Sequence, residues 1–195
     1  MTPRNRFAIE YPIMASPNRP DNAHSLTQLF SAEDIAARVQ ELAVQIDRDY
    51  QGREILMIAV LKGSFLFIAD LVRAVKTPTV IDFVRLASYG SATRSSGIIE
   101  LRKDLEMSIK DRHVLVVEDI VDSGQTLESL QTLLLNRQPA SLRICTLIDK
   151  RAHRVTEVPV DYVGFAMDDG FIVGYGLDFD ERYRDLPDIR LVEGV

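Results

Sequence analysis

The 195-residue sequence lacks tryptophan and contains one cysteine and three histidines. A single cysteine cannot form an intrachain disulfide, and it excludes a cysteine-based zinc site. Cys145 lies in the apolar run 142–148, where a free thiol behaves as a small buried hydrophobe. His24, His113 and His153 show no metal-ligand spacing. We therefore expect no metal centre built on cysteine or histidine.

Long hydrophobic runs and an excess of basic residues are also missing. No apolar stretch approaches the roughly 20 residues that span a bilayer, and residues 1–20, with four prolines, cannot form the core of a secretory signal. The net charge of -6 argues against general nucleic-acid binding, which requires a basic face. The negative net charge is compatible with a small anionic substrate, because a pocket can be locally cationic. We expect a cytoplasmic protein that binds neither nucleic acid nor a membrane.

The proportions of apolar (46%) and charged (27%) residues are those of an ordinary globular enzyme. Residues 1–25 are rich in proline and asparagine and lack periodicity, so we predict an extended or disordered arm. Ser31 is a suitable N-cap for a helix whose apolar residues fall on one face. Buried strands are predicted at residues 54–61, 79–86, 113–117, 142–148 and 162–166.

Helices separate most of these strands, and this alternation predicts a parallel sheet with right-handed crossovers. We expect one domain over residues 26–195. Its last part, from about residue 165, is too short for a second domain and is predicted to form a small hood with part of the N-terminal region. The polar stretch 88–97 is longer than the usual connectors of about 2 to 6 residues and is predicted to be a mobile loop.

Acidic and small residues follow the predicted strand 113–117. Two acids come first, Glu118 and Asp119. Five residues then lead into the next predicted helix: Asp122, Ser123, Gly124, Gln125 and Thr126. Ligands of open α/β sheets bind at the carboxyl ends of strands, and the unpaired first amides of a helix suit a phosphate. The segment therefore predicts an anion site.

The side chains of this segment refine that prediction. Ser123 and Thr126 add hydroxyl donors, and Gly124 allows a close approach of the backbone to an anion. Alternatively, Asp122 or Ser123 is only an N-cap and the two acids only a strand end. Adjacent carboxylates after an apolar strand would repel each other, however, unless a cation or hydroxyl groups are shared there. Ribose hydroxyls and Mg²⁺, which prefers oxygen ligands, would meet that need.

The whole run resembles the 5-phosphoribosyl 1-pyrophosphate motif of type I phosphoribosyltransferases: four apolar residues, two acids, two apolar residues, then Asp-Ser/Thr-Gly-x-Thr. The resemblance implies the α/β fold of that family, with a central, mostly parallel sheet flanked by helices and a small hood. No Gly-x-x-x-x-Gly-Lys-Ser/Thr sequence occurs, so a P-loop nucleotidase is not supported.

From Leu26 to Pro187 the chain resembles the hypoxanthine-guanine branch of this family. Lys62-Gly63 looks like the branch's pyrophosphate loop, where an unusual cis peptide precedes the glycine, and Ser88-Tyr89 opens its flexible lid. A lid is chemically sensible, because water would capture an oxocarbenium-like transition state. From the residues alone, the first pair could equally be a turn with a solvated lysine, and the second the start of a surface loop.

The same resemblance implies a purine site. Lys150 contacts the 6-oxo group, Phe171 stacks on the base, and the backbone of Ile172 reads the purine edge. Asp178 holds a second magnesium ion, and Arg184 meets the pyrophosphate, whose oxygens suit its bidentate geometry. A lysine donates to an oxygen but cannot accept from the amino group of adenine, so rejection of adenine is expected. The alternative for Lys150 is an exposed residue on a basic turn.

The implied reaction joins hypoxanthine or guanine to 5-phosphoribosyl 1-pyrophosphate and yields IMP or GMP with pyrophosphate. Glu118, Asp119 and Asp178 lie near the magnesium, residues 123–126 hold the 5-phosphate, and Asp122 is the general base on N7 of the purine. Members of the family form dimers or tetramers, so we expect a homodimer or a homotetramer.

Two other functions are compatible with parts of the pattern. One is an enzyme of the same fold specific for xanthine or a pyrimidine; the Lys150 and Phe171 segments argue against pyrimidines but leave xanthine open. The other is a ligand-sensing regulator that keeps the phosphoribosyl motif and binds nucleic acid. Such a regulator should carry a basic face or an added DNA-binding region, and this acidic chain supplies neither.

Overall fold

The computed structural model describes residues 25–88 and 99–194. The predictions for the N-terminal arm, for Tyr89 and for the loop that follows it concern residues outside these ranges. Within the described residues, no helix combines the length and the apolar character needed to cross a membrane.

The described part of the chain contains three helices and nine strands. In chain order these are β1 (Leu26–Phe30), α1 (Ala32–Asp49), β2 (Ile55–Leu61), α2 (Phe65–Ala74), β3 (Thr79–Ser88), β4 (Ile99–Lys103), β5 (His113–Val121), α3 (Gln125–Leu135), β6 (Ser141–Lys150), β7 (Tyr162–Met167), β8 (Ile172–Val173) and β9 (Ile189–Val192).

Six strands form the central sheet in the order β4-β3-β2-β5-β6-β7, and only the β3–β4 pair is antiparallel. Side chains of β2 alternate between two cores: Met57 packs in the cluster that contains α1 and α2, and Ile58 in the cluster that contains α3. The sheet is therefore buried on both faces, as a continuous apolar strand predicts. The predicted mostly parallel sheet flanked by helices is confirmed.

The first helix begins where the sequence predicts. The Ser31 hydroxyl accepts a hydrogen bond from the Asp34 amide at 3.1 Å, and the Asp34 carboxylate accepts one from the Ser31 amide at 3.1 Å. This reciprocal capping box satisfies two amides that the helix itself leaves unpaired. The predicted apolar face of α1, which includes Ile35, Val39 and Leu42, is buried.

A second, smaller sheet has the antiparallel order β1-β9-β8. Leu26 pairs with Val192 across 166 residues of chain, and Ile172 pairs with Leu191. The strands β1, β4, β8 and β9 were not predicted from the sequence. They are short, and β1 is mostly exposed, so neither a buried apolar run nor a clear alternation marks them.

Candidate active site

Both acids of the motif, Glu118 and Asp119, lie within the strand β5. The sequence predicted a strand that ends at Val117, but β5 continues to Val121 because β6 runs beside it and keeps pairing. Glu118 lies opposite Thr146, and Val121 lies opposite Asp149. The end of β5 therefore lies next to the end of β6, which carries Lys150.

The turn after β5 is shaped by a glycine. Gly124 caps α3 in the left-handed conformation, with φ of 84°, so the alternative of an Asp122 or Ser123 N-cap is wrong. A Cβ atom at this position would lie 2.2 Å from the Thr156 carbonyl oxygen. Gly124 is thus required for packing against the β6–β7 connection as well as for the turn.

A cavity of about 140 Å³ opens at this turn. Its lining consists of the residues on either side of the strand-to-helix junction: Glu118, Ile120, Val121, Asp122, Ser123, Gly124, Thr126 and Leu127. Gln125 begins α3 between two of these residues. The predicted anion-binding segment therefore borders a single cavity at a helix N-terminus, where backbone amides favour a phosphate.

The two acids of β5 are poorly solvated. Burial, followed by the charge of Asp119, raises the pKa of Glu118 well above its usual value. The Glu118 Oε2 atom is shielded from solvent and has no hydrogen-bond partner among the described residues. Burial raises the pKa of Asp119 to about 6, although the Ile120 amide donates to this carboxylate at 3.0 Å. The pair is thus suited to a ligand that brings hydroxyl groups or positive charge.

This burial makes a prediction for stability. The pKa of Asp119 rises from 3.8 to about 6 on folding, so the folded state binds its proton more tightly than the unfolded state. The free energy of unfolding therefore falls as pH rises from about 4 to about 6, by on the order of 2 kcal/mol, and stays lowered above pH 6. Asp119→Asn removes this penalty, and we expect it to melt at a higher temperature than the wild type at pH 8.

The measurement is calorimetric unfolding in magnesium-free buffer at pH 4, 6 and 8. The stabilisation by Asp119→Asn should nearly vanish at pH 4, where Asp119 is protonated in the folded wild type and partly protonated in the unfolded chain. Asp168→Asn, which changes an exposed carboxylate directly after β7, is the control and should show no such trend. A stabilisation by Asp119→Asn that is equal at all three pH values would contradict the argument.

The β2–α2 turn packs directly against Asp119. A Cβ atom at Gly63 would lie 1.5 Å from Asp119 Oδ2, and one at Gly176 would lie 2.0 Å from the Gly63 carbonyl oxygen. The turn is therefore held between β5 and the segment that follows β8. A cis peptide is present in this turn, but it lies between Leu61 and Lys62, one residue before the Lys62-Gly63 bond that the resemblance implied.

Lys62 and Arg184 share one carboxylate. Glu181 Oε2 lies 2.8 Å from Lys62 Nζ and 3.2 Å from Arg184 Nη2. Arg184 also contacts Asp178 at 2.8 Å and donates to the Gly176 carbonyl at 2.8 Å. Hydrogen bonds from Lys62 and, to a lesser extent, from Arg184 hold the pKa of Glu181 below its usual value. The sequence did not single out Glu181, because only the folded chain brings its carboxylate to both cations.

Lys150 is buried, with only 9% of its side chain exposed, so the alternative of a solvated surface lysine is wrong. Its Nζ atom lies 3.7 Å from Asp122 Oδ2 and 4.0 Å from Asp169 Oδ1. His153, which is largely exposed, places Nδ1 3.9 Å and 3.6 Å from the same two aspartates. The structure thus brings Lys150 and Asp122 together at the carboxyl ends of β6 and β5.

The remaining predicted residues lie farther along the chain. Phe171 is 39% exposed and makes an edge contact with Phe179, with ring centroids 5.1 Å apart. The side chain of Ile172 is buried in the main core and is not available to a ligand. Ser88 is the last residue of β3. Arg184 and Asp178 influence the pKa of Asp119 in opposite directions, which places their charges near the end of β5.

Comparisons with known proteins agree with this arrangement. The model of the phosphoribosyl transferase domain matches residues 25–180. The hypoxanthine-guanine phosphoribosyltransferase of Mycobacterium tuberculosis (strain CDC 1551 / Oshkosh) is 51% identical over 164 residues, 81% of each chain. A crystal structure of a hypoxanthine-guanine phosphoribosyltransferase from Bacillus anthracis has a TM-score of 0.82 at 47% identity and covers 85% of this chain and 97% of that one.

A hypoxanthine phosphoribosyltransferase of Trypanosoma cruzi is more distant in sequence, at 38% identity, yet its structure also gives a TM-score of 0.82. The match covers 89% of this chain and 94% of that one. The family match spans most of the chain and includes the whole β5–α3 segment. The chain therefore belongs to the phosphoribosyl transferase domain family.

Proposed function

We propose that this protein transfers the phosphoribosyl group of 5-phosphoribosyl 1-pyrophosphate to a 6-oxopurine, hypoxanthine or guanine. The bond from C1 of the ribose to the pyrophosphate oxygen breaks, and a bond from C1 to N9 of the purine forms. The purine loses one proton, and the products are IMP or GMP and pyrophosphate. The relatives named hypoxanthine or hypoxanthine-guanine phosphoribosyltransferase support this assignment.

One observation carries the proposal: the cavity at the end of β5 lies beside a buried lysine at the end of β6. The cavity has backbone amides of α3, Ser123 and Thr126 for a phosphate, and the poorly solvated Glu118 for ribose hydroxyls. A buried Lys150, within 4 Å of Asp122, supplies a donor for the 6-oxo group. The ribose would span the gap between these two halves.

In this arrangement Asp122 acts as the general base. Its carboxylate lies near Lys150 Nζ, so a base whose 6-oxo group accepts from Lys150 would present N7 to Asp122. Asp122 accepts the N7 proton as N9 attacks C1, a type of help that usually contributes about 10² to 10⁴-fold. Phe171 would cover the face of the base, and the backbone of Ile172 would meet its edge.

Lys62 and Arg184 are placed to neutralise the departing pyrophosphate. Both now contact the Glu181 carboxylate, so their positive charge is already focused on one anionic position. A phosphate oxygen in that position would receive the same donors. Glu181 must then move aside, and it can do so because its side chain is 63% exposed.

Magnesium fits this site as a partner of the substrate. Within residues 25–88 and 99–194, no group of three or more acidic, histidine or cysteine side chains is arranged to hold a metal ion. Magnesium usually binds through one or two carboxylates together with substrate phosphates and water, so such a group is not required. Glu118, with its unpartnered oxygen, Asp119 and Asp178 are the residues that would serve it. When bound, the ion neutralises pyrophosphate charge.

Assembly and location follow by analogy with the relatives. We infer a cytoplasmic homodimer or homotetramer that binds neither nucleic acid nor a membrane. The Trypanosoma cruzi relative, whose C-terminal region was studied for its role in oligomeric state and enzymatic activity, supports an oligomer. The acidic net charge supports the absence of a nucleic-acid partner.

A substrate panel tests the proposed function. Purified protein is assayed with 5-phosphoribosyl 1-pyrophosphate, magnesium and one of four bases: hypoxanthine, guanine, xanthine or adenine. We expect nucleotide formation with hypoxanthine and guanine, and none with adenine, because Lys150 cannot accept a hydrogen bond from its amino group. Activity with adenine alone, or with no base, would overturn the proposal. Activity with xanthine alone would instead favour the related enzyme that the sequence left open.

A further inference from the structure

Arg154 lies in the connection between β6 and β7 and turns inward from it. Only 9% of its side chain is exposed, although the neighbouring residues His153 and Val155 are largely solvent-exposed. Its guanidinium pairs with the carboxylate of Asp149, which is itself 6% exposed. A buried charge pair of this kind needs further hydrogen bonds to offset its desolvation.

Those further hydrogen bonds go to the backbone of the two site segments. Arg154 Nε donates to the Asp122 carbonyl at 3.0 Å, and Nη2 donates to the Lys150 carbonyl at 2.9 Å. A longer contact, 3.4 Å, joins Nη2 to the Val121 carbonyl. One guanidinium therefore connects the residue proposed as the general base with the residue proposed to contact the purine.

The backbone of the β6–β7 connection also contacts the motif segment that follows β5. The amides of Val155 and Thr156 both donate to the Ser123 carbonyl, at 2.9 Å and 3.0 Å. Gly124 packs against the Thr156 carbonyl so closely that no side chain fits between them. Three consecutive carbonyls of the motif, from Val121 to Ser123, are thus held by residues 154–156.

We propose that Arg154 is a positioning residue that fixes Asp122 and Lys150 relative to each other. This inference rests on the proposed function, because the roles of Asp122 and Lys150 belong to it. Arg154 is not among the residues that line the cavity at the end of β5. Its planar guanidinium presents several donors in fixed directions, which a lysine ammonium cannot do. Loss of these donors frees the two carbonyls to move separately.

Arg151 provides a matched control. Its Nε atom donates to the other oxygen of Asp149 at 3.0 Å, but its side chain is 70% exposed and its described side-chain contact is to Asp149 alone. Arg151→Gln and Arg154→Gln each remove one positive partner of the same carboxylate. Only Arg154→Gln also releases the carbonyls of Asp122 and Lys150.

The test measures kcat and both KM values of Arg154→Gln and Arg151→Gln well below their melting temperatures. For Arg154→Gln we expect kcat to fall on the order of 10²-fold, the effect of displacing a reacting group by about 1 Å. The KM for the purine should rise, because Lys150 is displaced, while the KM for 5-phosphoribosyl 1-pyrophosphate should change less. Arg151→Gln should retain kcat. Equal kinetics for the two variants would overturn the inference.

A double variant separates positioning from simple stabilisation. Within the described residues, Arg154→Gln leaves the buried Asp149 carboxylate with only the largely exposed Arg151 as a charged partner, which by itself destabilises the fold. Adding Asp149→Asn removes that charge and should restore the melting temperature while the carbonyls remain unheld. We expect kcat of the double variant to stay low. Recovery of kcat together with the melting temperature would show that Arg154 only stabilises the fold, and would overturn the inference.

Hydrogen exchange gives a readout that needs no turnover. Amides of residues 121–126 should exchange faster in Arg154→Gln than in the wild type, and Arg151→Gln should match the wild type. Unchanged exchange in Arg154→Gln would contradict the inference even if no base were a substrate. An inactive wild type would contradict the proposed function alone, so the two failures are distinguishable.

Discussion

Asp122→Asn is expected to reduce kcat by about 10² to 10⁴-fold, the usual contribution of a general base. Asparagine has the size of aspartate but cannot accept the purine proton. The main-chain carbonyl of residue 122 keeps its hydrogen bond from Arg154, so the variant should fold and keep its backbone in place. The KM for 5-phosphoribosyl 1-pyrophosphate should therefore change little, since the 5-phosphate is assigned to residues 123–126.

Steady-state kinetics with hypoxanthine measure this effect, and Asp169→Asn is the matched control. Asp169 also lies near Lys150 Nζ, at 4.0 Å, but its side chain is 62% exposed. Loss of such an exposed ion pair should alter kcat by less than about fivefold. A kcat for Asp122→Asn no lower than that of Asp169→Asn would remove Asp122 from the role of general base.

The central sheet could be predicted from the sequence because its strands are apolar runs buried on both faces. The run in β2 and the first half of β5 are of this type. The second half of β5 was not predicted, since Glu118 and Asp119 mark the end of an apolar run. They remain in the strand because β6 pairs with β5 as far as Asp149. Only the neighbouring strand specifies that extension.

The motif residues could be identified from their spacing, but their partners could not. Asp122 and Lys150 were both proposed from the sequence, whereas the guanidinium that joins their carbonyls comes from Arg154, in an unremarkable turn. The same holds for Glu181, which meets Lys62 across 119 residues of chain. Such contacts depend on how connections pack over the sheet edge, and no local pattern encodes them.

Two glycines of the site could also be identified from the sequence, but the groups that pack against them could not. Gly124 was interpreted as allowing a close approach of the backbone to an anion, and the structure adds that the Thr156 carbonyl lies beside its Cα. The predicted turn indicated that a glycine is needed, but it did not indicate that the Thr156 carbonyl lies against it. Gly63 is similar, because its place in a strand-to-helix turn gave no indication that Asp119 lies against it.

Gly63→Ala is expected to lower kcat/KM for 5-phosphoribosyl 1-pyrophosphate by at least about 10²-fold, because a displacement of 1 Å in a reacting site has that effect. The added methyl group would lie 1.5 Å from Asp119 Oδ2 and 2.4 Å from Asp119 Cγ. The turn is backed by Gly176, whose Cα approaches the Gly63 carbonyl closely, and the backbone of Asp119 lies within β5. The atoms that can give way are therefore those of the Asp119 carboxylate, or the turn as a whole.

Relief of this clash must displace either the Asp119 carboxylate or the turn that carries Lys62, and both are assigned to the phosphoribosyl half of the site. The KM for 5-phosphoribosyl 1-pyrophosphate should therefore rise more than the KM for the purine, which Lys150 contacts.

Gly52→Ala is the control, because its methyl group meets no atom within 4 Å. Its φ of 76° makes alanine strained there, so this control should lose stability and keep its kinetics. Gly63→Ala and Gly52→Ala could instead show the same kinetics. Asp119 could then leave its observed position without loss of function, and its assignment to the ribose or the magnesium would be wrong.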